Sequence, residues 1–320
     1  MSQSAPRVGL GMPVYNGERF LARALDSVLA QTLTEWELVI CDNASTDGTR
    51  EICERYAAKD ARIRYVRNAE NLGAHPNYNL CFRHARGEYF KWVPHDDELH
   101  EDYLLRCVAA MDGDSAAILC QTDFEYIDER SATLSVTGEW LEGADSDRSA
   151  RRFAAVILLP HTCYDVMGLF RREVLAASIL LPSFHGADRA LLADLALRGR
   201  FIHVDEPLLR VRDHRQRYTR AKTRPADRAV WHDTRNRGKV SLPTWRLYAT
   251  YWGLATKHEG RWSLAIPLFR WWLVNWNLAR AVVDLVATVA PGAVSAAEAF
   301  KQRTFSAAPG VDRSVRSKGG

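Results

Sequence analysis

Leu38-Val39-Ile40-Cys41 is a run of four apolar residues, and Asp42-Asn43-Ala44-Ser45-Thr46-Asp47-Gly48 follows it without a break. A short apolar run bounded by turn residues predicts a buried strand. The Ser, Thr and Asp residues after the run are typical of a helix N-terminus, and a helix is predicted from there to about Lys59. A buried strand that leads through a turn into a helix is the repeating unit of a parallel α/β sheet.

The same unit recurs on both sides of this stretch. Val8 to Met12 predicts a first strand, and Glu18 to Gln31 carries apolar pairs four residues apart, which predicts an amphipathic helix. Ile63 to Val66 and Tyr89 to Val93 predict two further strands. The expected fold is therefore α/β, a Rossmann-like, mainly parallel sheet flanked by helices. The remaining predictions are helices at about 77–84, 101–111, 147–159 and 188–198, a hairpin within 124–137, short strands within 200–211 and helices across roughly 226–305.

Length and composition limit the class of protein. The chain has 320 residues, 47% of them hydrophobic and 26% charged, as expected of one large globular domain with an extension. The first ten residues lack the pattern of a secretory signal, and no run of about 18 uncharged apolar residues predicts a spanning helix. None of the six cysteines forms a C-x-x-C pair. These features predict a reduced, cytoplasmic protein.

Net charge changes sign along the chain. Residues 211–320 hold 20 Lys and Arg against 7 Asp and Glu, whereas residues 1–210 hold 23 against 32. Seven of the ten tryptophans also follow residue 230. Aromatic and basic residues without spanning length favour helices that lie in a membrane interface, so peripheral membrane contact is predicted through residues 245–282. Packing on the protein's own core or in a homodimer is the alternative, and no nucleic acid is expected.

Pro94-His95-Asp96-Asp97-Glu98 directly follows a predicted strand. Adjacent carboxylates repel each other unless a cation lies beside them, and oxygen ligands suit Mg²⁺ or Mn²⁺. Carboxylates are also favoured at the positive end of a helix dipole. From this segment alone, a metal site and a solvated helix start are equally good interpretations.

An ordered set of motifs surrounds this acid pair. Its members are Gly11-Met12-Pro13-Val14-Tyr15-Asn16-Gly17-Glu18, the stretch from Val39 to Thr49, Asn71-Leu72-Gly73, Asn77 to Asn79 and Ala85-Arg86-Gly87-Glu88-Tyr89. In their order and spacing over about residues 7–110, and more weakly to about 215, the chain resembles glycosyltransferase family 2. One departure is Pro94, which stands where that family often has a further Asp.

The resemblance implies a nucleotide-sugar transferase of GT-A type. Residues 1–215 would form the catalytic domain, residues 216–305 a basic, Trp-rich helical extension, and residues 306–320 a disordered tail. The metal, Mn²⁺ or Mg²⁺, would be bound by Asp97, Asp96 and His214. Tyr15 offers a ring for stacking and Asp42 an acceptor for a base N–H, although a loop aromatic and a helix cap are the alternatives. The residues implied to bind the nucleotide are Pro13, Val14, Tyr15, Asn16, Glu18, Asp42, Asn71 and Asp96.

Two later motifs extend the resemblance. Gly186-Ala187-Asp188-Arg189 opens a predicted helix, and Asp188 matches the family's general base, although Ala187 stands where Glu often precedes it. A helix cap at Asp188 is the alternative. Arg210-Val211-Arg212-Asp213-His214 resembles the R-x-H element that often ends the catalytic domain. The other implied roles are phosphate or acceptor contacts by Arg212 and Arg189, an acceptor wall at His161, Tyr164 and Asp165, and a lid or basic connector at Gln216 to Arg224.

The function implied is an inverting transfer of a sugar from a nucleoside-diphosphate donor, of UDP or dTDP type, to a hydroxyl. The acceptor expected is a glycan or lipid-linked glycan of surface polysaccharide or glycoconjugate biosynthesis, reached from the inner face of the cell membrane. A nucleotidyltransferase would carry a Gly-rich phosphate loop after the first strand, where this chain has Pro13 to Asn16. A catalytically degenerate scaffold is the non-enzymatic alternative.

Overall fold

The computed structural model describes residues 6–138, 140–215 and 225–290, and within them nine strands form one sheet. The order across the sheet is β3-β2-β1-β4-β8-β6-β9-β5, with β7 paired to β6. The strands are β1 (Val8–Val14), β2 (Trp36–Asp42), β3 (Ile63–Arg67), β4 (Tyr89–Trp92), β5 (Glu98–Leu99), β6 (Ala117–Ile127), β7 (Thr133–Thr137), β8 (Leu169–Arg171) and β9 (Arg200–Arg212).

Helices cover both faces of this sheet. They are α1 (Leu21–Leu29), α2 (Thr49–Lys59), α3 (Ala74–His84), α4 (Tyr103–Gly113), α5 (Ser149–Leu158), α6 (Arg172–Ala176), α7 (Ala187–Arg198), α8 (Pro225–His232), α9 (Pro243–Lys257), α10 (Arg261–Trp271) and α11 (Asn277–Val289). Within the described residues the predicted helices are present, with ends that differ by a few residues. For example, α1 begins only at Leu21, because Gly17 and Phe20 first close a turn through a backbone hydrogen bond.

The first four strands form the parallel half of the sheet. β1 pairs in parallel with β2 on one side and β4 on the other, and β3 extends the sheet beyond β2. Every residue of β1 and β2 is buried, because helices cover both faces. The predicted strand–helix repeat is confirmed, and it aligns the carboxyl ends of β1, β2 and β4 at one edge.

The second half of the sheet is mixed. β8 lies antiparallel between β4 and β6, and β9 runs parallel to β6. The sequence predicted short strands within 200–211, whereas β9 is continuous over 13 residues. Register shifts around Asp123 let the long β6–β9 ladder bend while it stays paired. Because β5 pairs antiparallel with β9, residue 210 lies opposite Glu98.

The C-terminal helices share a core with the α/β part of the chain. Leu247 and Tyr251 of α9 and Leu268 of α10 belong to the same buried cluster as Phe153 of α5 and Leu191 of α7. None of the helices described is both long and apolar enough to cross a membrane. The lid predicted at Gln216 to Arg224 and the tail predicted at 306–320 lie outside the described residues, as does the end of the predicted 216–305 extension.

Candidate active site

Two loops meet at the carboxyl ends of β1 and β2. The Asn16 amide donates to Ser45 Oγ at 2.9 Å, and its side-chain oxygen accepts from the Thr46 amide at 2.9 Å. The Glu18 carboxylate accepts from the Gly48 amide at 2.6 Å, at the start of α2. Asn16 and Glu18 therefore hold the two loops together, and their predicted contacts with a nucleotide stay predictions.

Tyr15 is the exposed member of the first motif. Its side chain is 45% exposed, whereas Pro13 and Val14 are buried within β1. The Val14 carbonyl accepts from the Asn43 amide at 2.8 Å, so the backbone of this strand is tied to the second loop. Of these three residues, Tyr15 alone exposes an aromatic ring, and its predicted stacking on a nucleobase stays a prediction.

Asp42 lies at the end of β2 and is fully buried. One carboxylate oxygen accepts from the Ser45 amide at 2.8 Å. The other accepts from the Tyr65 hydroxyl at 2.7 Å and from Arg67 at 2.6 Å. A hydrogen bond from a nucleobase N–H to Asp42 would therefore go to an oxygen that already accepts from one of these partners. Asn71 is engaged in a similar way, since its side-chain oxygen accepts from Asn43 at 2.9 Å.

The acid pair lies just beyond β4. Asp96 Oδ2 is 3.0 Å from His214 Nε2, and Asp97, which is 7% exposed, accepts from the Arg212 amide at 2.9 Å. The His214 ring packs against Phe20 with centroids 4.9 Å apart. Its Nδ1 is buried and has no hydrogen-bond partner within the described residues. The structure thus brings together three residues that the sequence assigned to one metal and phosphate site.

Arg212 lies beneath this pair rather than facing a ligand. Its side chain is fully buried, with Nε donating to the Asp96 carbonyl at 2.9 Å and Nη1 to the Asp128 carbonyl at 2.6 Å. Its second Nη donates to Glu98 and to Ser131. The phosphate contact predicted for Arg212 is therefore not what this geometry favours, because each guanidinium nitrogen already binds protein.

Tyr78 connects the acid pair to Asp188. Burial raises the pKa of the Tyr78 hydroxyl well above its usual value, and the negative charges of Asp96, Asp188 and Asp97 raise it further. All three carboxylates are therefore near enough to Tyr78 to act on its hydroxyl electrostatically, although Asp188 comes from a different element than the acid pair. The sequence analysis did not single out Tyr78. The available signal was its place in the middle of the Asn77 to Asn79 motif, on α3.

Asp188 lies in the first turn of α7, where it follows Gly186 in the left-handed conformation. The side chain is half-buried, and burial raises its pKa to about 6 while Arg189 lowers it. Arg189 donates to the His161 carbonyl at 3.0 Å. Burial, followed by the charge of Arg189, lowers the pKa of His161 to about 4. Residues predicted at the base and at the acceptor wall are thus neighbours.

The residues at the acid pair fit a divalent cation in their chemistry. Carboxylate oxygens suit Mg²⁺ and Mn²⁺, and an imidazole nitrogen favours a transition metal. In the described part of the chain, however, the set of three whose ligand atoms all lie within 4.8 Å is Asp123, His203 and Asp205. This cluster lies at the irregular part of the β6–β9 ladder, and the sequence did not single it out. Metal ligation by Asp97, Asp96 and His214 remains a prediction.

A parallel α/β sheet with these acids at its carboxyl edge is the architecture of GT-A glycosyltransferases. The structure is similar to the crystal structure of S. aureus TarS 1-349 in complex with UDP-GlcNAc, with a TM-score of 0.61 and 17% identity over 83% of this chain and 73% of that one. It is also similar to the mannosyltransferase PcManGT from Pyrobaculum calidifontis in complex with GDP-Man and Mn²⁺, with a TM-score of 0.52 and 20% identity over 94% and 81% of the two chains.

The model of glycosyl transferase family 2 matches residues 10–178, and the chain belongs to this family. The predicted family is confirmed. Over 145 residues the chain is 32% identical to TuaG of Bacillus subtilis (strain 168), whose name describes a candidate teichuronic acid biosynthesis glycosyltransferase. That match covers 45% of this chain and 51% of TuaG. The chain spans about half the length of this relative. It is also 42% identical to EpsE from the same organism, in a match that covers 29% of this chain and 34% of EpsE.

Proposed function

We propose that the protein transfers a sugar, with inversion, from a nucleoside-diphosphate donor of UDP or dTDP type to an acceptor hydroxyl. The observation that carries this proposal is Asp188, a half-buried carboxyl in the first turn of α7 whose pKa burial raises to about 6, in a protein that also places Asp96 beside His214. These residues would provide a base at α7 and, at the acid pair, oxygen and nitrogen ligands for a cation that could stabilise the leaving diphosphate. The solved structures of TarS with UDP-GlcNAc and of PcManGT with GDP-Man add support for a nucleotide-sugar donor.

Asp188 is the proposed general base. As the acceptor oxygen forms a bond to the anomeric carbon, Asp188 takes the hydroxyl proton, and the bond from that carbon to the diphosphate oxygen breaks. A pKa of about 6 suits this role, because the carboxyl is ionised at neutral pH and is still a stronger base than an ordinary aspartate.

The donor is proposed to lie along the edge from Tyr15 to His214. Tyr15 stacks on the base, and Asp42 accepts a base N–H beside its existing partners. Asp96, Asp97 and His214 hold Mn²⁺ or Mg²⁺, with Mn²⁺ preferred because of the imidazole. When bound, such a cation supplies positive charge to the leaving diphosphate. Arg189 is proposed to contact the acceptor or phosphate; Arg212 acts from below by holding the loop.

The proposed acceptor is a glycan or lipid-linked glycan in the synthesis of surface polysaccharide or a glycoconjugate. A cytoplasmic position at the inner face of the cell membrane, with peripheral contact through residues 245–282, belongs to this proposal. The name of TuaG, which refers to teichuronic acid biosynthesis, supports an acceptor of this kind.

The proposal is tested by replacing Asp188 with Asn. Turnover is expected to fall by about 10²–10⁴-fold, the usual contribution of a general base. Binding of nucleotide sugars, followed by thermal shift with and without Mn²⁺, is expected to remain. Asp194→Asn in the same helix is the matched control, because Asp194 binds the Ile179 amide and Arg198 instead of the site. Unchanged turnover in Asp188→Asn would remove the base role, and a protein that binds no nucleotide sugar would leave the scaffold as the better interpretation.

A further inference from the structure

The outward side of α10 and of the turn that follows it carries a stripe of large apolar side chains. Trp262 is 82% exposed, and Ile266, Phe269 and Leu273 are each 68–69% exposed. They recur every three or four residues and so lie along one side of the helix. The opposite side carries the residues buried against the core, which are Leu264, Pro267, Leu268 and Trp271. The helix is therefore apolar on two opposite sides, and its packing explains one of them.

α11 also carries large exposed apolar side chains. Trp276, where the two helices join, is 82% exposed, and the apolar side chains that follow are 41–58% exposed. Those on the outward side of the helix are Leu278, Val282, Leu285 and Val286. We call the exposed residues of α10 and α11 together the outer face. It is far larger than the scattered apolar residues of an ordinary surface, which marks it as an interaction site.

Specific hydrogen bonds fix the outer face relative to the catalytic half. Trp245 of α9 donates its indole N–H to the Ala281 carbonyl at 3.0 Å, and the Thr244 amide donates to Asp284 at 2.8 Å. Leu247 of α9 packs close to Gly186, since a Cβ on that glycine would lie 3.4 Å from it. Gly186 is two residues before Asp188. The outer face and the proposed base are thus connected through one packed helix.

The positive charge near the outer face favours a membrane surface over a second copy of the protein as its partner. Arg261, which lies over the Trp262 ring, and Arg270 are exposed beside the outer face, whereas the one acidic residue between 260 and 290, Asp284, bonds to α9. Two copies placed face to face would bring these cations together. Anionic headgroups would instead neutralise them while the tryptophans and aliphatic side chains enter the boundary between headgroups and acyl chains.

We propose that the outer face binds the surface of a bilayer that contains anionic phospholipid, with α10 and α11 lying in the membrane plane. The inference rests on the proposed function in one respect: membrane binding would place Asp188 beside a lipid-linked acceptor. The binding itself depends on side chains outside the catalytic site.

The test is flotation of the full-length protein with vesicles of phosphatidylcholine alone and with added phosphatidylglycerol, at low and high salt. Binding is expected to the anionic vesicles and to weaken with salt. Phe269→Ser with Leu273→Ser is expected to weaken it about tenfold or more, because two side chains no longer enter the bilayer. Leu134→Ser with Val136→Ser on β7 is the matched control, since these residues are 57% and 58% exposed on another surface. Arg261→Gln with Arg270→Gln should reduce binding to anionic vesicles specifically.

Three outcomes would overturn the proposal. The first is that the full-length protein does not float with anionic vesicles. The second is that the Phe269/Leu273 variant binds these vesicles as strongly as the wild type. The third is a dimer, detected by light scattering, that this variant converts to a monomer, because the outer face would then be covered by a second copy. Nucleotide-sugar binding should be the same in the variant and the wild type, so a failure here is distinguishable from a failure of the proposed transferase.

Discussion

At the scale of single residues, Arg212 is a buried cation that holds several loops in place through hydrogen bonds. Its backbone amide binds Asp97, and its guanidinium binds the Asp96 carbonyl, Glu98 and the Asp128 carbonyl. Glu98 also pairs with Arg210 at 2.7 Å. One side chain therefore ties the acid loop to β9 and to the turn after β6, so Arg212 is a positioning residue for Asp96 and Asp97.

Arg212→Lys keeps the charge but cannot reach all of these acceptors. We expect the free energy of unfolding to fall by about 1.5–3 kcal/mol, the loss of a charge-assisted hydrogen bond in the interior. Because the acid loop loosens, the affinity for Mn²⁺ in the presence of nucleotide should fall as well. Urea titration and calorimetry measure the two effects. A loss of stability with unaltered metal affinity would contradict the positioning role and leave only a structural one.

Asp188 should set the acid limb of the pH–rate profile. The base must be ionised to accept a proton, and burial raises its pKa to about 6. Turnover should therefore fall about tenfold per pH unit below about 6 and level off above it. The measurement is kcat from pH 4.5 to 8 at saturating donor, metal and acceptor. A limb centred near 4, the value of an ordinary aspartate, would show that another carboxyl limits the reaction.

At the scale of secondary-structure elements, three histidines join α3, α8 and the segment before α7. His232 Nδ1 is 2.9 Å from His75 Nε2, and His232 Nε2 is 3.3 Å from His185 Nδ1. Burial is the largest cause that lowers the pKa of each, to about 4 for His75 and to about 2 for His232. This row of three histidines, called the histidine chain below, is thus neutral in the folded protein. It fixes α8, the first helix after residue 224, to the catalytic half.

This histidine chain predicts that stability falls as the pH is lowered. Unfolded histidines take up protons near pH 6.5, whereas folded His75 does so only near 4. Between these values the unfolded state binds more protons, so the free energy of unfolding decreases with decreasing pH. His232→Gln should reduce that slope, measured by denaturant unfolding at pH 7.5 and 5.0, and His100→Gln at an exposed site should leave it unchanged. An equal slope in His232→Gln would refute the prediction.

At the scale of the whole molecule, the C-terminal helices and the α/β half share one core. Leu268 is 3% exposed and lies in the cluster that includes Phe153 and Leu191. Residues on both sides of the boundary predicted at residue 215 therefore pack into the same buried cluster, and the division into two domains stays a prediction.

Leu268→Ala is expected to cost about 2–5 kcal/mol, the range for a buried leucine. Because the core is shared, thermal unfolding should remain a single transition in both wild type and variant, whether followed by tryptophan fluorescence or by loss of nucleotide-sugar binding. Two separate transitions, with only the fluorescence change shifted by the substitution, would show that the extension unfolds by itself.

The sequence by itself determined the strand–turn–helix units from Val8 to Met111, the family, and the positions of Asp42, Asp96–Asp97 and Asp188 at element ends. These features depend on local periodicity and on neighbouring residues, which a sequence displays directly. Only the tertiary structure shows that His214 contacts Asp96, 118 residues away, that Arg212 is buried and that Asp96, Asp97 and Asp188 all act electrostatically on Tyr78. The reason is physical: the long, bent ladder of β9 and its antiparallel pairing with β5 set those distances, and no local pattern encodes them.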